Sequence, residues 1–183
     1  MPPHRRIDVV LDSIKRLQRI GASANLLNLL QKQHPADLAE VINELSDKAR
    51  AEVLDVLLEH NSRLAMEALV EYGPEQGAAL LTEYPPERIA LWLRELPSDD
   101  LAALIDELPD DLSAAVRERM RPQELGKVEN LLEYAERTAG RIMNPMVFAL
   151  SEELTAGEAI QALQGSREVE MVFYLYVVDD RRH

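Results

Sequence analysis

The stretch Leu96–Val116, LPSDDLAALIDELPDDLSAAV, contains one short pattern twice: leucine and proline, then adjacent aspartates, then an apolar run. Proline is tolerated in the first turn of a helix and disfavoured in its interior, so each copy predicts a new helix. The apolar residues that follow recur at three- and four-residue intervals, which is typical of a single buried helical face. The stretch therefore predicts two short amphipathic helices in succession.

The same spacing extends through most of the chain. An amphipathic segment follows each of the prolines Pro74, Pro85 with Pro86, Pro97, Pro109 and Pro122, which are eleven to thirteen residues apart. HPADLAEVINEL, residues 34–45, belongs to the same set, and one extra helix is predicted between it and the others. Because such short helices cannot bury their apolar faces alone, they must stack on one another. The sequence predicts a mainly α fold, a superhelix of short proline-punctuated helices in residues 1–137.

A different pattern begins at Thr138. A short apolar run from Met146 to Leu150, a helix start at Leu154–Thr155 and the β-branched and aromatic residues of Val169–Val178 predict strand, helix, strand. The predicted helix has an apolar face at Ala159, Ile160 and Leu163, and Gly140 and Gly165 are predicted in turns. Since a lone unit of this kind leaves strand edges unpaired, residues 138–183 are expected to form an incomplete α/β domain.

The composition excludes several classes of protein. The absence of cysteine excludes disulfides and thiolate metal sites. No segment reaches the roughly 20 apolar residues of a membrane span, and the start lacks a secretory signal, so a soluble cytoplasmic chain is expected. The four histidines lack the spacing of a zinc hydrolase, and no nucleophile motif or phosphate-binding loop is present. We therefore expect a protein that is not an enzyme.

The net charge of -13 is concentrated in the middle of the chain. Residues 1–34 carry six Lys or Arg against two acids, residues 35–136 carry nine against 24, and residues 137–183 carry five against seven. An anionic surface of this density repels nucleic acid phosphates, so nucleic acid binding is not expected. Carboxylate oxygens are the preferred ligands of Mg²⁺ and Ca²⁺, but solubility alone is a competing explanation of the acids.

Basic residues are concentrated at the start of the chain, at Arg5, Arg6, Lys15, Arg16 and Arg19. Three placements are open for this segment: along anionic lipid head groups, against the acidic body, or simply in solvent.

The stretch Asn130–Leu163, NLLEYAERTAGRIMNPMVFALSEELTAGEAIQAL, resembles a domain junction of MgtE-type magnesium transporters. There an acidic amino-terminal helical domain meets the first cystathionine-β-synthase (CBS) domain. Tyr134, the turn at 138–140, Ile142–Met143 and the helix start at Leu154–Thr155 carry the likeness. The segments HPADLAEVINEL, YPPERIALWLRELPSDDLAALIDEL and FYLYVVDD match as well. The resemblance covers roughly residues 25–180.

This resemblance implies a cytosolic regulatory region. In the family, Mg²⁺ between acidic surfaces holds cytoplasmic domains together and favours the closed pore, so a regulatory, low-affinity Mg²⁺ is implied here. The implied partners are the second CBS domain and the transmembrane domain of a homodimeric parent transporter. Because the sequence stops at His183, inside the implied CBS domain, we expect a fragment that does not transport and does not bind adenine nucleotide.

The resemblance also implies three candidate metal ligands. Asp99 and Asp100 match an acidic helix start that contributes to an inter-domain Mg²⁺ site, although Ala103 stands where some members carry a further acid. Glu67 matches an acidic position that faces the CBS side. Each of these acids also has a structural explanation. Ser98 is a good N-cap, and acids in the first turn that follows, such as Asp99 and Asp100, stabilise a helix by about 0.3 to 1 kcal/mol. Glu67 suits a solvated helix face.

Other residues are interpreted as structural. Asp110 and Asp111 repeat the same pattern and are predicted to cap a helix, His34 is predicted at a helix start, and Trp92 and Leu93 are predicted in the core.

The alternative function is a protein-interaction scaffold of α-repeats, whose acidic surface serves solubility or partner binding.

Overall fold

The computed structural model describes residues 3–135, 138–144, 148–165 and 174–181, with side chains from residue 7 onward. The chain divides into two compact units, Met1–Ile142 and Met143–His183. The helices of the first unit are α1 (Pro3–Arg19), α2 (Ser23–Leu30), α3 (Pro35–Glu44), α4 (Asp47–His60), α5 (Ser62–Tyr72), α6 (Pro74–Leu81), α7 (Pro86–Leu93), α8 (Ser98–Glu107), α9 (Asp110–Arg117) and α10 (Pro122–Leu132).

The prolines mark the helix starts, as predicted. Pro35, Pro74, Pro86 and Pro122 are the first residues of their helices. Proline suits this position because its ring fixes φ near the helical value and because the first N–H groups of a helix have no partner within it. The mainly α prediction for this part of the chain is therefore confirmed.

The predicted caps of α8 and α9 are wrong by one residue. Pro97 and Pro109 are the N-caps, Ser98 and Asp110 are the first helical residues, and neither helix has a side-chain capping bond. The extended backbone of each proline places the helix boundary directly after its ring, so the next side chain already lies in the first turn. Asp110 and Asp111 act on α9 through their charge at its positive end, and not as caps.

The segment between α3 and α6 contains two helices where the sequence predicted one. Asn61 separates α4 from α5: its N–H donates to the Leu57 carbonyl at 2.7 Å, and its side-chain oxygen accepts from the Leu64 N–H at 3.3 Å. One asparagine therefore ends a helix and caps the next. The prediction for His34 is confirmed, since its Nδ1 accepts from the Ala36 N–H at the start of α3.

Helices two positions apart along the chain pack on one another. These pairs are α1 with α3, α2 with α4, α3 with α5, α5 with α7, α6 with α8, α7 with α9 and α8 with α10. The pairing gives the expected superhelix, in which each short helix buries its apolar face between neighbours. Trp92 and Leu93 lie in the resulting core, 4% and 0% exposed, as predicted. The Trp92 ring meets Tyr84 edge to face at 5.2 Å.

The corner between α5 and α6 depends on two glycines. Gly73 alone links the helices, with φ of 116° in the region that favours glycine. A Cβ on Gly77 would lie 2.7 Å from the Leu69 carbonyl oxygen, so a side chain there would push α6 away from α5.

The second unit contains the predicted strand, helix and strand: β1 (Ala149–Ser151), α11 (Ala156–Gly165) and β2 (Tyr176–Val178). The two strands are parallel, with Leu150 opposite Val177. A capping box starts α11: the Glu158 carboxylate accepts from the Thr155 N–H at 2.9 Å, and Thr155 Oγ1 accepts from the Glu158 N–H at 3.4 Å. Residues 146–147 of the first predicted strand and residues 169–173 of the second lie outside the described residues.

One of the two glycine predictions for this region is wrong. Gly140 lies in a turn, as predicted, but Gly165 is the last described residue of α11. The apolar face predicted for α11 is present in the sequence but is not buried, and Ile160 is 57% exposed.

Arg50 of α4 closes the carboxyl end of α3. Its Nε donates to the Ile42 carbonyl at 2.9 Å and its Nη2 to the Leu45 carbonyl at 3.0 Å. The last carbonyls of a helix have no partner within it, and the Arg50 side chain is only 18% exposed. This guanidinium therefore ties two successive helices together.

Arg50→Met should lower the free energy of unfolding by about 1 to 3 kcal/mol, because it leaves two carbonyls without their charged donor. Urea unfolding followed by circular dichroism measures the loss. Lys48→Met, which removes an exposed cation from the same helix, is the matched control and should change stability by less than about 0.5 kcal/mol. Equal losses in the two variants would contradict this role of Arg50.

Candidate metal-binding surface

Asp99 and Asp100 lie in the first turn of α8, and both are half-buried. Asp99 Oδ1 is buried and has no hydrogen-bond partner among the described residues. A carboxylate oxygen in this state is energetically costly, and the positive end of α8 offsets only part of the cost. A cation beside Asp99 would offset more. Ala103, one turn further along α8, is half-buried and supplies no ligand oxygen.

Glu67 lies on α5 and already has a cationic partner. Its Oε1 accepts from Arg63 Nε at 2.9 Å, and its side chain is 33% exposed. A metal ion bound by Glu67 must compete with this guanidinium. An i,i+4 ion pair at a helix surface contributes only about 0.3 to 0.5 kcal/mol, so the competition is modest.

The three predicted ligands do not form a common site. Glu67 lies on α5 and the aspartate pair on α8, and within the described part of the chain no three His, Asp or Glu side chains form a group able to hold a metal ion. The chemistry of Asp99 and Asp100 still fits Mg²⁺, because adjacent carboxylates supply hard oxygen ligands and one of these oxygens lacks a donor.

Several other acids of the anionic region are neutralised by arginines. Arg119 Nη2 lies 2.6 Å from Glu87 Oε1, and Arg94 Nε lies 3.5 Å from Glu124 Oε2. Asp106 is hydrogen-bonded to Arg141. A backbone hydrogen bond at Glu87 itself, followed by the bond from Arg119, holds the pKa of this carboxyl below its usual value. These carboxylates already have partners, which makes them weaker candidates for a metal ion.

Sequence reasoning missed an acidic groove between α1, α3 and α5. Its volume is about 750 Å³, its floor is apolar, and Asp8, Glu40, Glu44 and Glu71 stand at its rim. All four carboxylates are exposed. They come from three helices, so no local spacing in the sequence signals that all four line one groove. We call this feature the α1–α3–α5 groove.

Comparison with known proteins identifies the family. The model of the MgtE intracellular N domain matches residues 33–137, more than half of the chain. The chain belongs to the MgtE intracellular N domain family. The predicted resemblance is therefore confirmed, and with it the intracellular location. No individual curated protein matches this chain.

Two solved structures share the fold of this MgtE N domain and the segment after it. The cytosolic domain of the Mg²⁺ channel MgtE, in complex with ATP, superposes with a TM-score of 0.82 at 30% sequence identity, over 93% of this chain and 69% of that chain. The soluble part of a magnesium transporter superposes with a TM-score of 0.74 at 20% identity, over 99% of this chain and 69% of that chain, and supports the fold alone.

Among the described residues, none of the helices combines the length and apolar character needed to cross a bilayer.

Three parts of the sequence interpretation stay predictions. They are the domain boundary between residues 137 and 138, the CBS assignment of residues 138–183 and the three metal ligands.

Arg63→Ala should lower the free energy of unfolding by at most about 0.5 kcal/mol in EDTA, because the Arg63–Glu67 pair is solvated. If Glu67 is a metal ligand, removal of its competitor should also lower the Mg²⁺ concentration at the midpoint of Mg²⁺-dependent stabilisation. Thermal unfolding across a Mg²⁺ titration measures both quantities. Lys48→Ala, which removes a distant exposed cation, is the control, and an equal midpoint shift in both variants would exclude Glu67 as the cause.

Proposed function

We propose that this MgtE N domain is the Mg²⁺-sensing regulatory region of a magnesium channel or transporter. Its acidic surface takes up Mg²⁺ at contacts with other cytosolic domains and thereby favours the closed pore. The observation that carries the proposal is the 30% identity, over 93% of the chain, to the cytosolic domain of a Mg²⁺ channel.

The charge of the domain supports this role. Residues 35–136 carry 24 acids against nine basic residues. Such a surface repels a second acidic surface, and the repulsion is strongest where the carboxylates lack partners. When bound, Mg²⁺ supplies two positive charges and accepts oxygen ligands in an octahedral arrangement. The ion shifts a domain equilibrium only by the difference between its affinities for the two arrangements, so ligands shared between domains are the most effective.

Asp99 and Asp100 are the proposed ligands on α8. The two carboxylates offer part of an octahedral ligand set, and the unpartnered Asp99 Oδ1 favours a nearby cation. Glu67 is the proposed ligand on α5, once it is released from Arg63. Waters and acids of an adjoining domain complete each set. The expected affinity is low, because each group of ligands within this domain is small.

The segment after the N domain is proposed to be the first part of a CBS domain. The parallel pairing of β1 with β2 and the helix between them support this assignment. We further propose that the partners of this chain are the second CBS domain and the transmembrane domain of a homodimeric parent.

Millimolar Mg²⁺ should raise the melting temperature of this chain. At a Mg²⁺ concentration ten times Kd the stabilisation is about 1.4 kcal/mol, which corresponds to roughly 3 to 6 °C for a chain of this size. Asp99→Asn with Asp100→Asn should remove the part of the shift that comes from the α8 ligands. Thermal unfolding in EDTA and in rising Mg²⁺ at constant ionic strength measures it.

The matched control is Asp110→Asn with Asp111→Asn, since these adjacent acids lie in the first turn of α9, one position earlier in their helix than Asp99 and Asp100 in α8. Both double variants should lose a similar helix-end contribution of about 0.3 to 1 kcal/mol per charge in EDTA. Only the α8 variant should show a smaller response to Mg²⁺ than the wild type. A wild type that ignores Mg²⁺, or equal responses of the two variants, would reject Mg²⁺ sensing at α8 and favour the scaffold interpretation.

A further inference from the structure

Arg141 joins the carboxyl ends of two helices. Its Nη1 donates to the Leu131 carbonyl of α10 at 3.2 Å, and its Nη2 is hydrogen-bonded to the Asp106 carboxylate of α8. The Arg141 side chain is only 13% exposed, although the residue lies in a turn outside the helices. One guanidinium therefore neutralises an acid and supplies a charged donor to a carbonyl in the last turn of a helix.

The position of Asp106 gives this contact an electrostatic role. Asp106 lies in the last turn of α8, next to Glu107, the last residue of that helix. The negative end of the helix dipole lies there, so carboxylates destabilise this end of a helix and cations stabilise it. Arg141 places its charge at the ends of both α8 and α10, which pack on one another.

A turn fixes the backbone that carries Arg141. The Arg141 N–H donates to the Thr138 carbonyl at 3.1 Å, and Thr138 Oγ1 donates to the Ala135 carbonyl at 2.7 Å. Gly140 lies against the Tyr134 ring, which an added Cβ would overlap. The turn is therefore held at the ends of α8 and α10.

The point at which the chain leaves the first unit depends on this contact. The first unit ends at Ile142, one residue after Arg141. While the contact is made, free chain can begin only after Arg141. Without it, at least residues 138–141 join the free chain, and four flexible residues have a root-mean-square span of about 11 Å. A longer tether lowers the effective concentration of the domain that it carries.

We propose that Arg141 and Asp106 form a latch that sets the length of free chain leading out of the first unit. The closed latch gives a short tether that starts at the carboxyl end of α8, and the open latch lengthens it. Asp99 and Asp100 lie in the first turn of the same helix. The latch thus limits how far a following domain can move from these proposed Mg²⁺ ligands, a consequence that rests on the proposed function.

Limited digestion with trypsin tests the latch. Trypsin cleaves after arginine and must bind its side chain, so cleavage after Arg141 requires the contact to open. Asp106→Asn removes the charged partner and should speed cleavage after Arg141 by roughly three- to tenfold. Mass spectrometry of early time points identifies the fragment that ends at Arg141. All samples contain EDTA, so failure of the latch would leave the proposed Mg²⁺ role untouched.

The matched control is Glu107→Gln, which removes the same charge from the neighbouring exposed position in the last turn of α8. It should change the rate of cleavage after Arg141 by less than about twofold. Thermal unfolding should show that both variants remain folded, since both substituted acids are exposed. Cleavage of Asp106→Asn at the wild-type rate, or equal acceleration in the two variants, would overturn the proposal.

Spin labels measure the path of the chain directly. The chain contains no cysteine and Ile142 is 76% exposed, so Ile142→Cys and Lys48→Cys place one label after the latch and one on α4. Electron–electron resonance should give a narrow distance distribution between the labels. Adding Asp106→Asn should broaden it, whereas adding Glu107→Gln should leave it narrow. A distribution that is already broad before these changes, or equally narrow with Asp106→Asn, would contradict the latch.

Discussion

The fold depends on the burial of short apolar helical faces against neighbours two positions along the chain. Most of these helices have only eight to eleven residues, fewer than the roughly 12 to 15 that an isolated helix needs for even marginal stability in water. Each is therefore stable only while its neighbours are in place. Contacts such as that of Arg50 with the end of α3 then join successive helices at their ends.

This packing directs the acids outward and sorts them into two groups. Glu87, Glu124 and Asp106 have arginine partners and are neutralised within the domain. The Asp99 oxygen and the rim of the α1–α3–α5 groove have no cation beside them among the described residues. Repulsion between carboxylates of the second group is not relieved by arginines of the described residues, and the proposed Mg²⁺ ligand Asp99 belongs to this group.

Much of the fold could be predicted because its signals are local. A proline and an apolar interval act within one turn of helix, so the starts of α3, α6, α7 and α10 followed from the sequence. The predicted caps at Ser98 and Asp110 failed because cap and first turn differ by one residue, and the extended ψ of the preceding proline, 154° at Pro97 and 141° at Pro109, decides between them. The break at Asn61 was missed because asparagine is common on exposed helix surfaces as well as at caps.

The sequence by itself determined the helical class, the approximate starts of the proline-punctuated helices, the change of pattern after Thr138 and the family. Only the tertiary structure decided which acids have partners. Arg119 reaches Glu87 across 32 residues of sequence, and the groove gathers carboxylates from three helices. Helix starts depend on residues that are adjacent in the sequence. The compensation of a charge depends on distances in space, and these are set only when the helices pack.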